Sequence, residues 1–238
     1  MPLPKIIAHR GASGHAPENT LAAFAKAAEL GAKCVEFDCM LAGDGTLMIH
    51  HDESLRRITG AELMVSEATV SKIKALDAGS WYDAEFCHEK VPTFLDTMDI
   101  LVALGIGANI EIKPAQGQDV ATGQAVADQV EKRWPRHLPA PVISSFSEEA
   151  LKASQERIPQ IEHALLWEEI PADWEDRLHG LGATAVHVDS DHLSREQFNA
   201  LRDSGFPVRV YTVNDPERGR ELLDWGVESL ITDYPDRF

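Results

Sequence analysis

The sequence predicts an α/β protein folded as a (β/α)8 barrel, a TIM barrel, with a small cap inserted after the second strand and its hairpin. Three observations support this fold. Apolar, β-branched runs alternate with amphipathic helical patterns along the chain of 238 residues. A short Asp-Gly loop removes one apolar run from the parallel sheet, and a segment at about residues 52–91 interrupts the alternation. We therefore expect one domain, residues 1–238, that carries one insertion.

The predicted strands are short apolar runs bounded by turn-forming residues. There are nine of them: Lys5–His9, Lys33–Met40, Thr46–His51, Gly107–Lys113, Pro141–Phe146, Ile161–Trp167, Ala185–Asp189, Pro207–Val213 and Ser229–Thr232. Most successive runs are far enough apart for a helical crossover, which is the connection that parallel strands need. The pattern therefore indicates a parallel sheet with helices between most of its strands.

The predicted helices have apolar residues that recur on one face every three or four positions. They are Thr20–Leu30, Phe94–Leu104, Gln118–Trp134, Glu148–Arg157, Arg195–Ser204 and Pro216–Trp225. Several are followed by a glycine, the residue that a left-handed C-cap favours: Gly31, Gly105, Gly205 and Gly226. These stops support the predicted helix ends.

The third apolar run is predicted to lie outside the barrel. Only Leu41–Gly45, which ends in Asp-Gly, separates it from the second run. Such a short loop joins antiparallel neighbours, because a parallel crossover needs a dozen residues or more. Eight parallel strands then remain, as a TIM barrel requires. A doubly wound open sheet is the alternative, and the first strand lacks the Gly-x-Gly-x-x-Gly motif of its dinucleotide-binding form.

The segment from Asp52 to Val91 is longer than an ordinary connection in a barrel. It includes the sequence IKALDAGSWY at residues 73–82. Long insertions after a strand end more often contribute to function than serve only as connections. We therefore interpret this segment as a small cap on the barrel.

The formal net charge of −17 excludes some classes of partner. An acidic chain repels nucleic acid and anionic membranes, so we expect neither nucleic-acid binding nor stable membrane association. An anionic small substrate stays compatible, because a metal ion and a few local cations can reverse the field inside one pocket.

Cysteine usage and apolar content indicate a cytoplasmic protein. Cys34, Cys39 and Cys87 are odd in number and lack metal-like spacing, so we expect them to be reduced and to fill the core or strands. The start of the chain has no signal-peptide pattern, and no apolar run is as long as a membrane span requires.

Three carboxylates are predicted to point into the mouth of the barrel. Side chains alternate along a strand, so Glu36 and Asp38 share one face of the second strand, and Glu111 and Lys113 share one face of the fourth run. Three inward carboxylates cannot stay charged and close together without a cation. Oxygen ligands suit Mg²⁺ or Ca²⁺. The alternative is that these residues are ion-paired structural charges, which three of them at strand ends make less favourable.

Two histidines end strands near these carboxylates and predict a general acid and a general base. His9 ends the first strand and His51 ends the hairpin. Arg10, with its forked geometry, and Lys113 would supply the cations for a phosphate. Gly11 would let the chain turn without obstructing a ligand.

The start of the first helix has its own signals. Asn19 and Thr20 are predicted to cap it, and Glu18 would favour the positive end of its dipole.

Other candidates are weaker. His50 is expected to point away from the face of His51. His187 and Asp189 share a face of the seventh barrel strand and could serve either packing or the site. Ser145 lacks the Gly-x-Ser-x-Gly context of a nucleophile.

Taken together, these motifs resemble the glycerophosphodiester phosphodiesterase family. The matching segments span nearly the whole chain: HRGASGHAPENT at 9–20, EFD at 36–38, HHD at 50–52, LDAGSW at 76–81, VPTFLD at 91–96, EIK at 111–113, SF at 145–146, YTVN at 211–214 and ITDYP at 231–235. Individually HRG or EIK is a weak signal, but together they are specific. The insertion also resembles the one that distinguishes this family from phosphatidylinositol phospholipases C.

The resemblance implies hydrolysis of glycerophosphodiesters to sn-glycerol 3-phosphate and an alcohol. It assigns the divalent metal to Glu36, Asp38 and Glu111, acid–base catalysis to His9 and His51, and phosphate binding to Arg10 and Lys113. The related phospholipases suggest attack by the substrate's own glycerol 2-hydroxyl, through a cyclic phosphate.

Two departures from the family are visible. The family usually has Trp where this chain has Tyr211, which bears on how the glycerol or alcohol side of the substrate packs. Leu95 and Asp96 stand where two acidic residues are common, which we interpret as a structural variation.

Three alternatives stay open at this point. Lysophospholipids could be substrates if the cap accepts an acyl chain. A metal-dependent isomerase or aldolase barrel would want a desolvated Schiff-base lysine or further metal-binding histidines. A non-catalytic barrel that binds a phospholipid or metabolite would be expected to lack a histidine or a carboxylate. The preferred alcohol, the metal and the oligomeric state are left open by the sequence.

Overall fold

The computed structural model describes residues 3–238. Eight parallel strands form a closed barrel, with a ninth strand attached outside it. The barrel strands are β1 (Ile6–Ala8), β2 (Cys34–Leu41), β4 (Gly107–Ile112), β5 (Val142–Ser145), β6 (Glu162–Trp167), β7 (Ala185–Asp189), β8 (Val208–Tyr211) and β9 (Ser229–Thr232). The outer strand is β3 (Leu47–Ile49). The predicted (β/α)8 barrel is confirmed.

The barrel closes because β1 pairs on both sides. Its residues Ile6 to Ala8 pair with the last strand, and Ala8 also pairs with Val35 of β2. The carboxyl half of β2 extends past that contact, so its edge is free to pair with β3 in an antiparallel register, Cys39 opposite Ile49. The prediction of a hairpin outside the barrel is therefore confirmed.

Nine α-helices occur in residues 3–238. They are α1 (Leu21–Glu29), α2 (Arg56–Thr59), α3 (Val70–Ala75), α4 (Phe94–Leu104), α5 (Asp119–Arg133), α6 (Glu148–Arg157), α7 (Trp174–Leu181), α8 (Arg195–Asp203) and α9 (Pro216–Trp225). Thr20 caps α1 through its side chain, as predicted. At the start of α4, Thr93 and Asp96 form a capping box, which gives Asp96 a structural role.

The sequence pattern missed α7, which crosses between β6 and β7. This helix is short, and its N-cap residue Asp173 makes no capping side-chain hydrogen bond. Only Leu178 and Leu181 are buried on it. With so few apolar residues its periodicity is too weak to detect, although Asp173 and the left-handed Gly182 at its ends are typical helix-capping residues.

The apolar core lies between the strands and the helices. Phe37 projects outward from β2, and its ring lies 5.7 Å from that of Phe24 on α1 and 6.4 Å from that of Phe94 on α4. The alternate residues of β2 therefore point into the barrel, where Glu36 and Asp38 are 2% and 1% exposed. This is the alternation that the sequence predicts.

Residues 52–91 pack around a small apolar cluster of their own. Leu55, Ile58, Val65 and Ile73 are buried in it together with Met48 of β3. The segment contains α2, α3 and two 3₁₀ turns, Val65–Glu67 and Ala84–Phe86. Its cluster thus rests on the hairpin next to the barrel.

Cys87 of this segment is exposed, whereas Cys34 and Cys39 of β2 are buried. The expectation that all three cysteines fill the core or strands is wrong for Cys87, because it follows a 3₁₀ turn of the insertion.

A buried cation occupies the amino-terminal part of the barrel interior. Arg209 of β8 is 1% exposed, and its guanidinium lies 2.6 Å from carboxylate oxygens of both Glu162 and Glu228. Its Nη1 also lies 3.2 Å from Nε2 of His187. Across residues 3–238, no helix is both long enough and apolar enough to cross a membrane.

Candidate active site

A cleft of about 360 Å³ opens at the carboxyl ends of the barrel strands. This is the end of a TIM barrel at which active sites are built. Most of the residues proposed from the sequence line it: His9, Arg10, Glu36, His51, Glu111, Lys113 and Tyr211. Asp38 lies directly behind them, paired in register with Glu111 across β2 and β4.

Three carboxylates meet at the floor of this cleft. One oxygen from each of Glu36, Asp38 and Glu111 lies within 4.8 Å of the others. All three side chains are buried, and each has an oxygen without a hydrogen-bond donor among the described residues. Buried carboxylate oxygens normally have donors, so this cluster has the composition and the open ligand positions that a hard divalent cation requires.

The electrostatics of the cluster agree with that interpretation. Burial raises the pKa of Glu36 well above its usual range, and the nearby charges of Asp38 and Glu111 raise it further. Burial and Asp38 raise the pKa of Glu111 to about 7. Burial would also raise the pKa of Asp38, but the positive charge of Arg10 lowers it below the usual value. A bound cation would favour the ionised form of all three.

Asn19 also holds Asp38 in place. Its side-chain amide donates to Asp38 Oδ2 at 2.7 Å, and its carbonyl oxygen accepts from the Asp38 backbone N–H at 3.3 Å. Asn19 therefore supports the carboxylate cluster, and Thr20 alone supplies the side-chain cap of α1.

His9 follows β1 directly and is oriented by a carboxylate from the other end of the chain. Its Nδ1 lies 2.7 Å from Oδ1 of Asp233, the residue after β9. Ser13 and Asn214 donate to the same carboxylate at 2.7 and 2.6 Å. With Nδ1 engaged, Nε2 is the nitrogen directed toward the cluster, 3.9 Å from Glu36 Oε2.

His51 has a similar arrangement on the other side of the cleft. Its Nδ1 lies 2.7 Å from Asp52 Oδ1, and its Nε2 lies 2.9 Å from Lys113 Nζ. Lysine is only a donor, so Nε2 accepts and Nδ1 carries the proton of the neutral ring. Burial lowers the pKa of His51, and the charges of Arg10 and Lys113 lower it further against the opposing effect of Asp38.

Arg10 is held by three carboxylates. It adopts a left-handed backbone conformation, with φ of 53°. Its backbone N–H donates to Glu36 at 2.9 Å, its Nη1 donates to Glu18 at 2.8 Å, and its Nε lies 3.4 Å from Asp38. Lys113 Nζ lies 3.5 Å from Glu111 Oε1. Two cations thus border the carboxylate cluster.

Gly11 has φ of +80°, which agrees with the turn expected there. A Cβ at this position would also lie 2.6 Å from the backbone of Ala23 in α1, so the missing side chain makes room for the helix that follows.

Aromatic side chains form part of the rim, next to Lys113. Tyr211 packs edge to face with Phe146, with ring centroids 5.9 Å apart, and Lys113 Nζ lies 5.9 Å from the Phe146 ring centre. Burial raises the pKa of Tyr211, and the charges of Asp189 and Glu111 raise it further, so its hydroxyl is neutral. Asp189 lines the cleft beside Tyr211.

The remaining candidates lie outside the cleft. His187 is fully buried beside Arg209, and burial followed by the Arg209 charge lowers its pKa well below the usual value. Ser145 donates to the Ile112 carbonyl at 2.7 Å. His50 points away from the cleft, with Nε2 3.2 Å from the Ser54 carbonyl oxygen.

The sequence interpretation missed the carboxylates that orient the site. Asp52 and Asp233 each lie within a motif that was recognised, HHD and ITDYP, but neither was given a role. Glu18 was assigned only to the helix dipole, although it pairs with Arg10 and with Arg57. An acidic residue directly after a candidate histidine was the one available signal, and it pointed to Asp52 alone.

Comparison with known proteins places this geometry in a family. A model of the glycerophosphoryl diester phosphodiesterase family matches residues 9–237. A glycerophosphodiester phosphodiesterase of Bacillus subtilis strain 168 is 33% identical, and the match covers 98% of this chain and 84% of that protein. One from Caldanaerobacter subterraneus subsp. tengcongensis is 30% identical, with 97% of this chain and 94% of that protein covered.

A solved structure agrees with the sequence matches. A phosphodiesterase of Oleispira antarctica, in complex with the product sn-glycerol-3-phosphate, superposes with a TM-score of 0.95 at 35% identity, and the match covers 99% of this chain and 95% of that one. Since the family model covers almost the whole barrel and these relatives match along nearly their full lengths, this chain belongs to the glycerophosphoryl diester phosphodiesterase family.

Proposed function

We propose that the protein hydrolyses glycerophosphodiesters to sn-glycerol 3-phosphate and an alcohol, with a divalent metal and a pair of histidines. One observation carries the proposal: His9, His51 and the carboxylate cluster face one cleft, in a barrel like that of the relative whose complex holds sn-glycerol-3-phosphate. The isomerase and aldolase alternative is disfavoured, since Lys113 is engaged by His51 and Glu111 and the chain belongs to a phosphodiesterase family.

Glu36, Asp38 and Glu111 would hold the metal, Mg²⁺ or Ca²⁺, because one oxygen of each converges at one point and each buried carboxylate keeps an oxygen without a hydrogen bond. When bound, this ion supplies positive charge that stabilises the negative charge growing on the phosphoryl oxygens. Arg10 and Lys113, which border the same cluster, bind and orient the phosphate.

The two histidines have different surroundings, which suggests different roles. His51 faces Lys113 and Arg10, and these cations and its burial keep it neutral and ready to accept a proton at Nε2. His9 lies between carboxylates of Asp233 and Glu36, and its Nε2 is the nitrogen directed toward the carboxylate cluster. We therefore assign the first base to His51 and the first acid to His9.

The nucleophile in this proposal is the glycerol 2-hydroxyl of the substrate. Its oxygen bonds to phosphorus as the bond from phosphorus to the alcohol oxygen breaks. His51 takes the hydroxyl proton, and His9 gives a proton to the departing alcohol. Water then opens the cyclic phosphate, with its proton passing to His9 while His51 returns a proton to the 2-oxygen. Intramolecular attack benefits from a high effective molarity, so a protein nucleophile is unnecessary.

Tyr211 and Phe146 border the cleft beyond these groups, and we propose that they contact the glycerol or alcohol part of the substrate. The substrate is a small molecule, because the net charge of −17 disfavours nucleic acid and anionic membrane surfaces. The free thiols of Cys34, Cys39 and Cys87 suit a reducing cytoplasm.

The test is release of sn-glycerol 3-phosphate from glycerophosphocholine, with and without a chelator. We expect product that disappears with chelator and returns with Mg²⁺ or Ca²⁺. An analogue without the 2-hydroxyl should bind without being cleaved, and the cyclic phosphate should itself be hydrolysed. Cleavage of the deoxy analogue would disprove the cyclic route while leaving the phosphodiesterase assignment intact. Failure to cleave any glycerophosphodiester would disprove the function.

A further inference from the structure

Arg57 of the inserted segment joins two carboxylates from different sides of the site. It lies on α2, and its Nε and Nη2 donate to the two oxygens of Asp52 at 2.7 and 3.2 Å. Its Nη1 and Nη2 donate to the two oxygens of Glu18 at 2.8 and 2.7 Å. A planar guanidinium bound to two carboxylates at once fixes the orientation of both.

Each of these carboxylates in turn holds a residue of the cleft. Asp52 Oδ1 accepts from Nδ1 of His51 at 2.7 Å. Glu18 Oε1 accepts from Nη1 of Arg10 at 2.8 Å. A continuous chain of ionic hydrogen bonds therefore runs from His51 to Arg10, and Arg57 is its midpoint.

The two carboxylates need a cation between them. Both approach the same nitrogen of Arg57, so they are near neighbours of like charge. Asp52 and Glu18 have side-chain exposures of 28% and 13%, so neither is fixed by complete burial. Without the guanidinium, repulsion would turn them apart, and His51 and Arg10 would lose their fixed orientation.

We propose that Arg57 is a positioning residue through which the inserted segment aligns His51 and Arg10 with the phosphodiester. The inference rests on the proposed phosphodiesterase function. It gives the insertion a part in the reaction, although no atom of Arg57 touches the substrate. The proton acceptor and the phosphate ligand are then set by one residue, so its loss affects turnover and substrate binding together.

The first experiment compares Arg57→Gln and Arg57→Lys with Arg56→Gln on glycerophosphocholine. Arg56 is the matched control, since it is the neighbour of Arg57 and its ion pair, with exposed Glu62 at 3.0 Å, lies at the surface. We expect Arg57→Gln to lower kcat by roughly 10–100-fold, the cost of a misplaced catalytic group, and to raise KM about tenfold. Arg57→Lys keeps the charge but cannot donate to two carboxylates at once. Its KM should therefore return closer to the parent value than its kcat does. Arg56→Gln should stay within about twofold of the parent.

A double variant tests whether Arg57 acts on His51 through Asp52. In an Asp52→Asn background, Arg57→Gln should no longer lower kcat, because His51 has already lost its orienting carboxylate, but it should still raise KM through Glu18. Full additivity of the two kcat losses would overturn the path through Asp52.

A spectroscopic measurement is independent of turnover. The chemical shift of the His51 Nδ1 proton reports its hydrogen bond to Asp52. We expect this resonance far downfield in the parent and in Arg56→Gln, because Asp52 accepts from Nδ1 at 2.7 Å, and an upfield shift in Arg57→Gln and Arg57→Lys. An unchanged shift with kcat equal to that of the control would overturn the inference. An inactive parent would instead disprove the proposed function, and the His51 spectrum would still decide the role of Arg57. Should the Gln variant not fold, the Lys variant and the spectra decide.

Discussion

His9 Nδ1 lies 2.7 Å from Asp233 Oδ1, although 224 positions of sequence separate these residues. The contact exists because β1 and β9 are neighbours in the closed barrel. It orients His9, the general acid of the proposed mechanism, through a carboxylate that follows β9. Ser13 and Asn214 donate hydrogen bonds to Asp233 and fix its carboxylate, which in turn orients the imidazole of His9.

Replacing Asp233 by Asn should lower kcat on glycerophosphocholine by roughly 10²–10⁴-fold, because the amide can present an N–H to Nδ1 and favour the wrong tautomer of His9. Asp236→Asn is the matched control, since Asp236 pairs with His15 at the surface, 2.7 Å away. Steady-state kinetics with both variants check this. Equal activities would show that Asp233 is structural only.

Removal of any one carboxylate of the cluster should abolish metal-dependent activity without unfolding the barrel. In Glu36→Gln, Asp38→Asn and Glu111→Gln, the rise in melting temperature that Mg²⁺ or Ca²⁺ produces in the parent should shrink or vanish. Glu29→Gln, a change at an exposed surface pair, should keep the full rise. An unchanged rise in all three cluster variants would place the metal elsewhere.

Glu111→Gln should also make the metal-free protein more stable at pH 8. The pKa of Glu111 is about 7 in the folded protein against a usual 4.5, so its ionisation destabilises the fold as the pH rises through this interval. At pH 8 the folded parent bears the whole free-energy cost of ionising Glu111, and Glu111→Gln bears none of it because its amide does not ionise. Urea unfolding in the presence of chelator measures the difference. If the Glu111 carboxylate instead stabilised the fold mainly by pairing with Lys113, Glu111→Gln would be less stable than the parent at pH 8.

The leaving group can separate the roles of the two histidines. His9→Ala and His51→Ala should each reduce turnover of glycerophosphocholine by about 10²–10⁴-fold. With a p-nitrophenyl ester of glycerol phosphate, whose leaving group needs no proton, His9→Ala should lose much less, whereas His51→Ala should lose as much as before. If the p-nitrophenyl ester restored turnover only in His51→Ala, His51 would be the first acid and His9 the first base.

Tyr211→Trp should change the preference among glycerophosphodiesters more than the metal requirement. Tyr211 borders the cleft beside Phe146 and is not one of the carboxylates proposed to hold the metal. Ratios of kcat/KM for choline, ethanolamine and inositol esters measure the preference, and Tyr82→Trp, in the inserted segment, is the control. The same proportional change for every ester would contradict a role in selectivity.

His163 predicts how stability falls in mild acid. It is buried, and this burial lowers its pKa to about 4 against a usual 6.5, with a smaller opposing effect from the Ile161 carbonyl. The unfolded chain therefore takes up a proton first, and stability is complete above pH 6.5 and is lost as the pH falls from 6.5 toward 4. The loss amounts to at most about 3 kcal/mol. Unfolding free energies of the parent and His163→Gln should diverge over this interval, whereas parallel curves would contradict the assignment.

The sequence was sufficient for the barrel because local patterns encode it. Alternation along β2 placed Glu36 and Asp38 inside, and the short loop before β3 removed that strand from the barrel. Periodicity failed at α7, where only Leu178 and Leu181 are buried and charged residues dominate. It also could not resolve the short helices of the insertion, which are held by contacts with the hairpin more than by their own pattern.

The residues of the site were predictable to the extent that their chemistry is local. His9 and His51 follow strands and the three carboxylates lie on the inward face of β2 and β4, and their type and position alone suggested their roles. The pairing of Asp233 with His9 and that of Arg57 with Glu18 join residues that are distant in sequence, and no local pattern reports such pairings. The residues that orient the histidines and Arg10 are therefore visible only in the tertiary structure.

The closure of the barrel also has a consequence for the order in which the protein is made. β1 has only one residue paired with β2, while its three residues all pair with β9, the final strand. During synthesis the first strand therefore lacks its main partner until residues 229–232 have left the ribosome. Contacts between such distant parts of a chain form slowly, and an open strand edge favours association with other chains in the meantime. The edge of β1 that β9 later covers is then a place where the incomplete barrel can aggregate.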